Sequence, residues 1–171
     1  MSRFFLDTEF IEDGTTIDLL SIALVHDSGQ SLYLVSSEVD FCEAGAWVKT
    51  NVLPSIMDGA NGMHTRAEIK DNILSFVDKH RSGEKPKFWG YYADYDWVAF
   101  CQLFGKMIDL PKGWPMYCRD LKQLCDELGN PRLPKNEAHH ALADARWIKA
   151  QYDHLMEVQY MHMTRNADLT V

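Results

Sequence analysis

The sequence of 171 residues is short of several features that would mark a specialised class of protein. It has 4 cysteines, Cys42, Cys101, Cys118 and Cys125, and no Cys-x-x-Cys pair. That spacing matches no zinc or redox motif, and in the cytoplasmic location expected below disulfides are not favoured, so all four are expected as free thiols. No apolar run approaches the ~18 residues of a membrane span. The longest candidate, Leu19 to Val25, lies between Asp18 and His26 and reads as a buried strand. There is no basic excess either. Against 25 Asp and Glu stand 17 Lys and Arg, for a formal charge of −8. This excludes a protein that coats long nucleic-acid tracts by neutralising many phosphates, but not one that touches few of them. The N-terminus reaches Asp7 too soon to supply the apolar core of a signal peptide, so a cytoplasmic location is expected. Repeats and low-complexity segments are also missing. With 46% hydrophobic residues the chain has enough apolar surface to fold, and its length suits one domain, here 1–166, with 167–171 expected to fray.

What is present reads as an α/β domain. Arg3 to Phe10, Ile17 to Val25 and Ser31 to Val35 have strand character, and the turn residues Asp27, Ser28, Gly29 and Gln30 make the last two a hairpin. Thr65-x-x-Glu68 has the spacing of a capping box, followed by Ile69, Ile73, Phe76 and Val77 on one helical face. Lys87 to Tyr92 is a strand, Tyr95 to Phe104 a helix, Met116 to Cys118 a short strand and Leu121 to Leu128 a helix closed by Gly129. The last long helix is expected from Ala138 to about Met161. This order predicts a mixed sheet, an antiparallel three-strand meander followed by parallel strands with flanking helices.

Asp7-Thr8-Glu9 interrupts an otherwise apolar first strand, and alternation sends both acids to the same face. At ~4 Å and an effective dielectric of ~20 such like charges repel by about 4 kcal/mol. A pair of this kind must be solvated, protonated or bound to a cation. Asp96 stands at the start of the next helix but one, and Asp144 lies in the last helix between the small residues Ala143 and Ala145. His139 precedes Asp144 by five residues. Five helical residues rotate by about 140°, so His139 reaches a site lined by Asp144 only from the loop or the first helical position.

With these residues in place the sequence resembles the DEDD superfamily of 3′-to-5′ exonucleases, in its histidine-containing branch. Asp7-Thr8-Glu9 matches the first motif, Tyr92-Ala93-Asp94-Tyr95-Asp96 resembles the second, and His139-x-Ala141-x-x-Asp144 matches the third. The opening Phe4 to Gly14 looks most like the actinobacterial polyadenylate-specific exoribonucleases of the RNase AS type. Two departures stand out. The second motif commonly begins with Asn where this chain has Tyr92, and Asp94 adds an acid beside the favoured Asp96. Phe10, Ile11 and Glu12 are bulkier than the small residues that commonly follow the first motif, which disfavours general DNA proofreading.

The resemblance implies a ribonuclease H-like fold and hydrolysis of RNA from the 3′ end to nucleoside 5′-monophosphates, with a preference for poly(A) tails. It implies two Mg²⁺ or Mn²⁺ ions held by Asp7, Glu9, Asp96 and Asp144, which suits oxygen ligands. His139 would take the proton of the attacking water. Phe10, Ile11 and Glu12 are candidates for contacting the terminal nucleotide, Glu12 as an acceptor for the 2′ hydroxyl. His140 and the other histidines have no such role, and Trp89, Tyr91, Tyr92, Tyr95 and Trp97 are read first as core, with one or two available to stack on bases. A homodimer is expected by likeness, with the apolar last helix, Leu155 to Met163, packing on a partner or on its own sheet. An oligoribonuclease-like or DNA-directed exonuclease and a catalytically silent binding module remain as rivals.

Overall fold

The computed structural model describes residues 2–135 and 139–168. Strand β1 spans Ser2–Glu12 and pairs antiparallel with β2, Ile17–His26, which pairs antiparallel with β3, Ser31–Ser36. Two short strands complete the sheet among the described residues, β4 at Met63–His64 beside β3 and β6 at Arg119–Asp120 beside β5, Pro86–Gly90. β5 lies parallel to β1, giving the order β4-β3-β2-β1-β5-β6. The mixed α/β sheet, antiparallel at its start and parallel later, is the one the sequence predicts.

Helices cover both faces. On one side α2, Arg66–His80, and α3, Asp94–Gln102, bury Ile69, Ile73, Val77 and Phe100 against Phe4, Leu6 and Leu24. On the other α1, Ala46–Asn51, α4, Leu121–Glu127, and α5, Ala141–Asp168, lie over Phe5, Ala23 and Val25, with Leu121, Ile148 and Leu155 in that core. α2 begins with the expected capping box: Thr65 Oγ1 accepts from the Glu68 N–H and Glu68 accepts from the Thr65 N–H. β2 carries a bulge. Glu9 opposes Ser21 but Phe10 opposes Leu19, so Leu20 is an extra residue. Leu20, Ala23 and Val25 therefore share one core while Leu19, Ile22 and Leu24 share the other.

Several expected bounds shift. The short strand falls at Arg119–Asp120 and not at Met116 to Cys118, because the partner residues on β5 are Trp89 and Gly90. α1 and β4 occupy a stretch that propensity left unread. The expected helix start at Ala138 lies outside the described residues, and α5 begins at Ala141. α5 runs to Asp168, and 169–171 lie outside the described residues. Leu155 packs on this chain's own sheet, whereas Tyr160, Met161 and Met163 are exposed.

The turn after β5 is the tight point of the fold. A Cβ on Gly90 would sit 2.5 Å from the Ala93 Cβ and 3.4 Å from the Leu6 carbonyl. Tyr92, in the same turn, holds φ at 57°, where Asn is better tolerated than a bulky residue, which accounts for the Asn common at that place in the resembling motif. Asp120 fastens the turn, accepting from the Ala93 N–H through one oxygen and from the Lys122 and Gln123 N–H groups through the other. Gly90→Ala should lower stability by about 1–3 kcal/mol through overpacking. Adding Ala93→Gly should recover much of the loss, which a double-mutant cycle by denaturant unfolding would measure.

Candidate active site

β1 outruns its parallel partner, since its pairing with β5 ends at Phe5 opposite Trp89. The edge beyond is left with free backbone donors, and the first turn of α3 meets it there. Asp96 Oδ1 accepts both the Thr8 N–H at 2.8 Å and the Thr8 hydroxyl at 2.6 Å. Thr8, passed over in the sequence, thus fixes the second-motif acid. Asp96 is buried while Asp94 is exposed at the helix start, so the structure turns Asp96 inward of the two acids.

Asp7 and Glu9 point to the opposite face, toward α5, where Asp144 is buried. Ligand oxygens of Asp7, Glu9 and Asp144 all lie within 4.8 Å of one another. The three line one cleft with Asp96, His139, Thr8, Phe10, Trp47 and Val52. His139 sits in the loop before α5 with φ at 34°, an infrequent backbone position for a non-glycine residue, and its ring meets the edge of Trp47 at 4.6 Å. His140 does different work. Its carbonyl accepts the Asp144 N–H, its Nδ1 faces the Ala143 N–H, and its Nε2 lies 2.9 Å from the Asp58 carbonyl, so it caps α5 and ties it to the 58 loop.

Of the residues expected to contact substrate, only Phe10 lines the cleft, with its ring 5.8 Å from Tyr95. Ile11 packs against the α5-side core, and Glu12 accepts from the Gly14 N–H in the hairpin, away from the acids. Two neighbours went unnoticed in the sequence. Trp47 lies on α1, for which Val48 and Val52 at helical spacing were the available signal. Lys135, 3.2 Å from Asp144 through its amine, had none, because nothing in its local pattern tells which acid it will meet.

Burial first, and for Asp7 and Glu9 the neighbouring acids second, raises the affinity of these carboxylates for protons. Burial, then Asp96, Asp144 and Glu9, holds Asp7 well above the usual carboxylate range. Burial, then Asp144 and Asp96, pushes Glu9 to about 8. Burial pushes Asp96 to about 6 although the Thr8 hydrogen bonds oppose it. A cluster of hard oxygen donors that repel in this way fits a divalent cation of the Mg²⁺ or Mn²⁺ kind.

A family model for the 3′-5′ exoribonuclease Rv2179c-like domain matches residues 2–156. The chain belongs to the Rv2179c-like family. Curated relatives of this Rv2179c-like protein include the 3′-5′ exoribonuclease Rv2179c of Mycobacterium tuberculosis strain ATCC 25618 / H37Rv and the 3′-5′ exoribonuclease MT2234.1 of strain CDC 1551 / Oshkosh. Each is 42% identical over 147 residues, covering 84% of this chain and 87% of its own length. Among solved structures, cell-death related nuclease 4 matches 91% of the chain with a TM-score of 0.52 at 13% identity, and the chain spans 64% of that longer protein. A full-length 3′-exonuclease matches with a TM-score of 0.54 at 11% identity, over 91% of this chain and 81% of its own. At such identities these two show a shared fold.

For the metal-free Rv2179c-like protein the raised acids set the sign of its pH dependence. Between about 4.5 and about 8 the folded chain keeps a proton on Glu9 that the unfolded chain has released, and Asp96 behaves likewise between 3.8 and about 6. Stability should therefore fall as pH rises from 5 to 8. Melting temperatures in chelator should show this decline, Glu9→Gln should flatten it, and a flat wild-type profile would contradict the raised affinity of these buried acids for protons.

Proposed function

We propose that this Rv2179c-like protein hydrolyses single-stranded RNA from its 3′ end, releases nucleoside 5′-monophosphates and prefers poly(A). The observation that carries the reading is the convergence of Asp7, Glu9, Asp96, Asp144 and His139 on one cleft. The names of its relatives support the reaction, and the likeness of the Phe4 to Gly14 segment to the polyadenylate-specific enzymes supports the substrate preference.

In this reading Asp7, Glu9, Asp96 and Asp144 would hold two divalent ions. The ions, when bound, neutralise charge at the phosphorus and lower the pKa of the attacking water. The remaining work belongs to the side chains. His139 accepts the water proton at a ring nitrogen, and Trp47 limits the directions in which that ring can lie. Phe10 and Tyr95 present an apolar wall to the terminal nucleoside. Thr8 donates both its N–H and its hydroxyl to Asp96 Oδ1 and so fixes that carboxylate in one orientation in the cleft. The exposed Tyr160, Met161 and Met163 on α5 support a homodimer, and no helix among the described residues is long and apolar enough to cross a membrane.

Digestion of 3′-labelled and 5′-labelled RNA with and without Mg²⁺ tests the direction and the metal requirement together. Labelled mononucleotide should appear at once from the 3′ label, and matched poly(A), poly(U) and DNA oligomers should be consumed in that order of preference. Asp7→Asn should abolish turnover in a folded protein. Near-normal rates would sink the assignment of the acids.

The adjacent histidines should separate cleanly. His139→Ala should lose ~10²-fold or more in kcat and regain part of it as pH rises, since hydroxide needs no base. His140→Ala should keep kcat while losing about 1 kcal/mol of stability with the cap.

A further inference from the structure

A line of cations interleaved with aromatic rings leaves the acid cluster on the side of α5. Lys135, beside Asp144, lies 5.4 Å from the centre of the Trp147 ring. Arg132 stands 5.6 Å from the same ring and 5.7 Å from that of Tyr91. Tyr91 meets Trp147 and Tyr92 edge-on, each at 5.0 Å, and Lys122 faces Tyr92 at 6.0 Å. Trp147 is three residues beyond Asp144 on α5, which places it on the same side of the helix, so the line is continuous with the cleft.

The line is built rather than incidental. Gln151, fully buried, accepts the Leu133 N–H at 2.7 Å and donates to the Pro131 carbonyl at 2.7 Å, clamping the loop from beneath. The Trp147 indole N–H donates to the Pro134 carbonyl at 3.0 Å. Arg132 is exposed and has no carboxylate partner among the described residues, although the chain carries a formal charge of −8. Tyr92 is 66% exposed and holds its strained φ in the turn that precedes α3. An arginine with no carboxylate partner among the described residues and with aromatic rings beside it suits a ligand that carries both phosphates and bases.

The geometry points to this line as the track for the RNA body, the nucleotides upstream of the one being released. The inference rests on the hydrolytic reading of the cleft and extends it from the reacting end to the strand behind it. Phosphates would lie against Lys135, Arg132 and Lys122, and a base would stack on the exposed Tyr92 ring. The acid cluster repels an incoming strand, so an enzyme with this net charge gains its hold on RNA from a local cationic line.

The test compares a 12-mer with a dinucleotide of the same 3′ end, using wild type, Arg132→Gln and Tyr92→Ala. Both variants should shrink the advantage of the 12-mer in KM, by about five-fold or more for Tyr92→Ala, with little change in kcat. Equilibrium binding of the 12-mer in chelator reads the same contacts without hydrolysis. There Arg132→Gln should reduce the slope of log affinity against log salt by ~0.7, the value for one single-strand phosphate. Equal losses on both lengths, or an unchanged salt slope, would overturn the track and leave the hydrolytic reading standing. Failure of wild type to release mononucleotide from either RNA would overturn the hydrolytic reading, while the chelator arm still reads the track. Lys122→Gln takes the place of Arg132→Gln if that variant does not fold.

Discussion

The mutual repulsion of Asp7, Glu9, Asp96 and Asp144 is what the surrounding structure holds against. Carboxylates in a partly buried cleft would separate or draw in water if the elements carrying them could move. Three elements prevent that. β1 lies between two strands with both faces buried, α3 is pinned to it through Thr8 and Asp96, and α5 is packed along the sheet through Ala145, Ile148 and Leu155. The apolar cores on the two faces therefore supply the rigidity that keeps like charges together.

Much of this was legible in the sequence, for identifiable reasons. The meander followed from strand composition and a turn-rich gap, the α2 start from a capping box, and the acids from carboxylates where an apolar residue belonged. Asp96 and Asp144 could be singled out because motifs of fixed spacing preserve local geometry. What was not legible depends on distant pairing. Met116 to Cys118 has strand composition, but strand status belongs to Arg119–Asp120 because those residues face the end of β5. Trp47 and Lys135 are 97 and 9 residues from Asp144 along the chain, and no periodicity tells that they meet the same cleft. Glu12 is close in sequence to the acids, but in the fold its carboxylate accepts from the Gly14 N–H in the hairpin, a pairing that nearness along the strand does not announce.

His139 and His140 illustrate how one helix start divides two chemically identical side chains. The residue that begins the hydrogen-bonded turn is committed to capping, and its ring is consumed by the 58 loop. The residue before it is released from helical geometry and can face the cleft. The same partition recurs at the start of α3, where Asp94 is exposed and Asp96, two positions on, is turned inward. In both places the boundary of a helix decides which polar group faces the cleft and which meets solvent or backbone.

The extra residue at Leu20 has a bearing on how this chain can vary in length. The hairpin between β1 and β2, 13–16, is solvent-facing and can gain or lose residues at little cost. β2 itself cannot. Removing Leu20 would restore strict alternation and leave Leu19 and Ile17 facing their present core, but it would take a fully buried leucine out of the opposite core, and removing any other residue between Leu19 and Val25 would exchange faces instead. Insertions and deletions in descendants of this sequence should therefore accumulate at the hairpin tip and spare the bulge, making the count of residues in β2 a more durable signature than their identity.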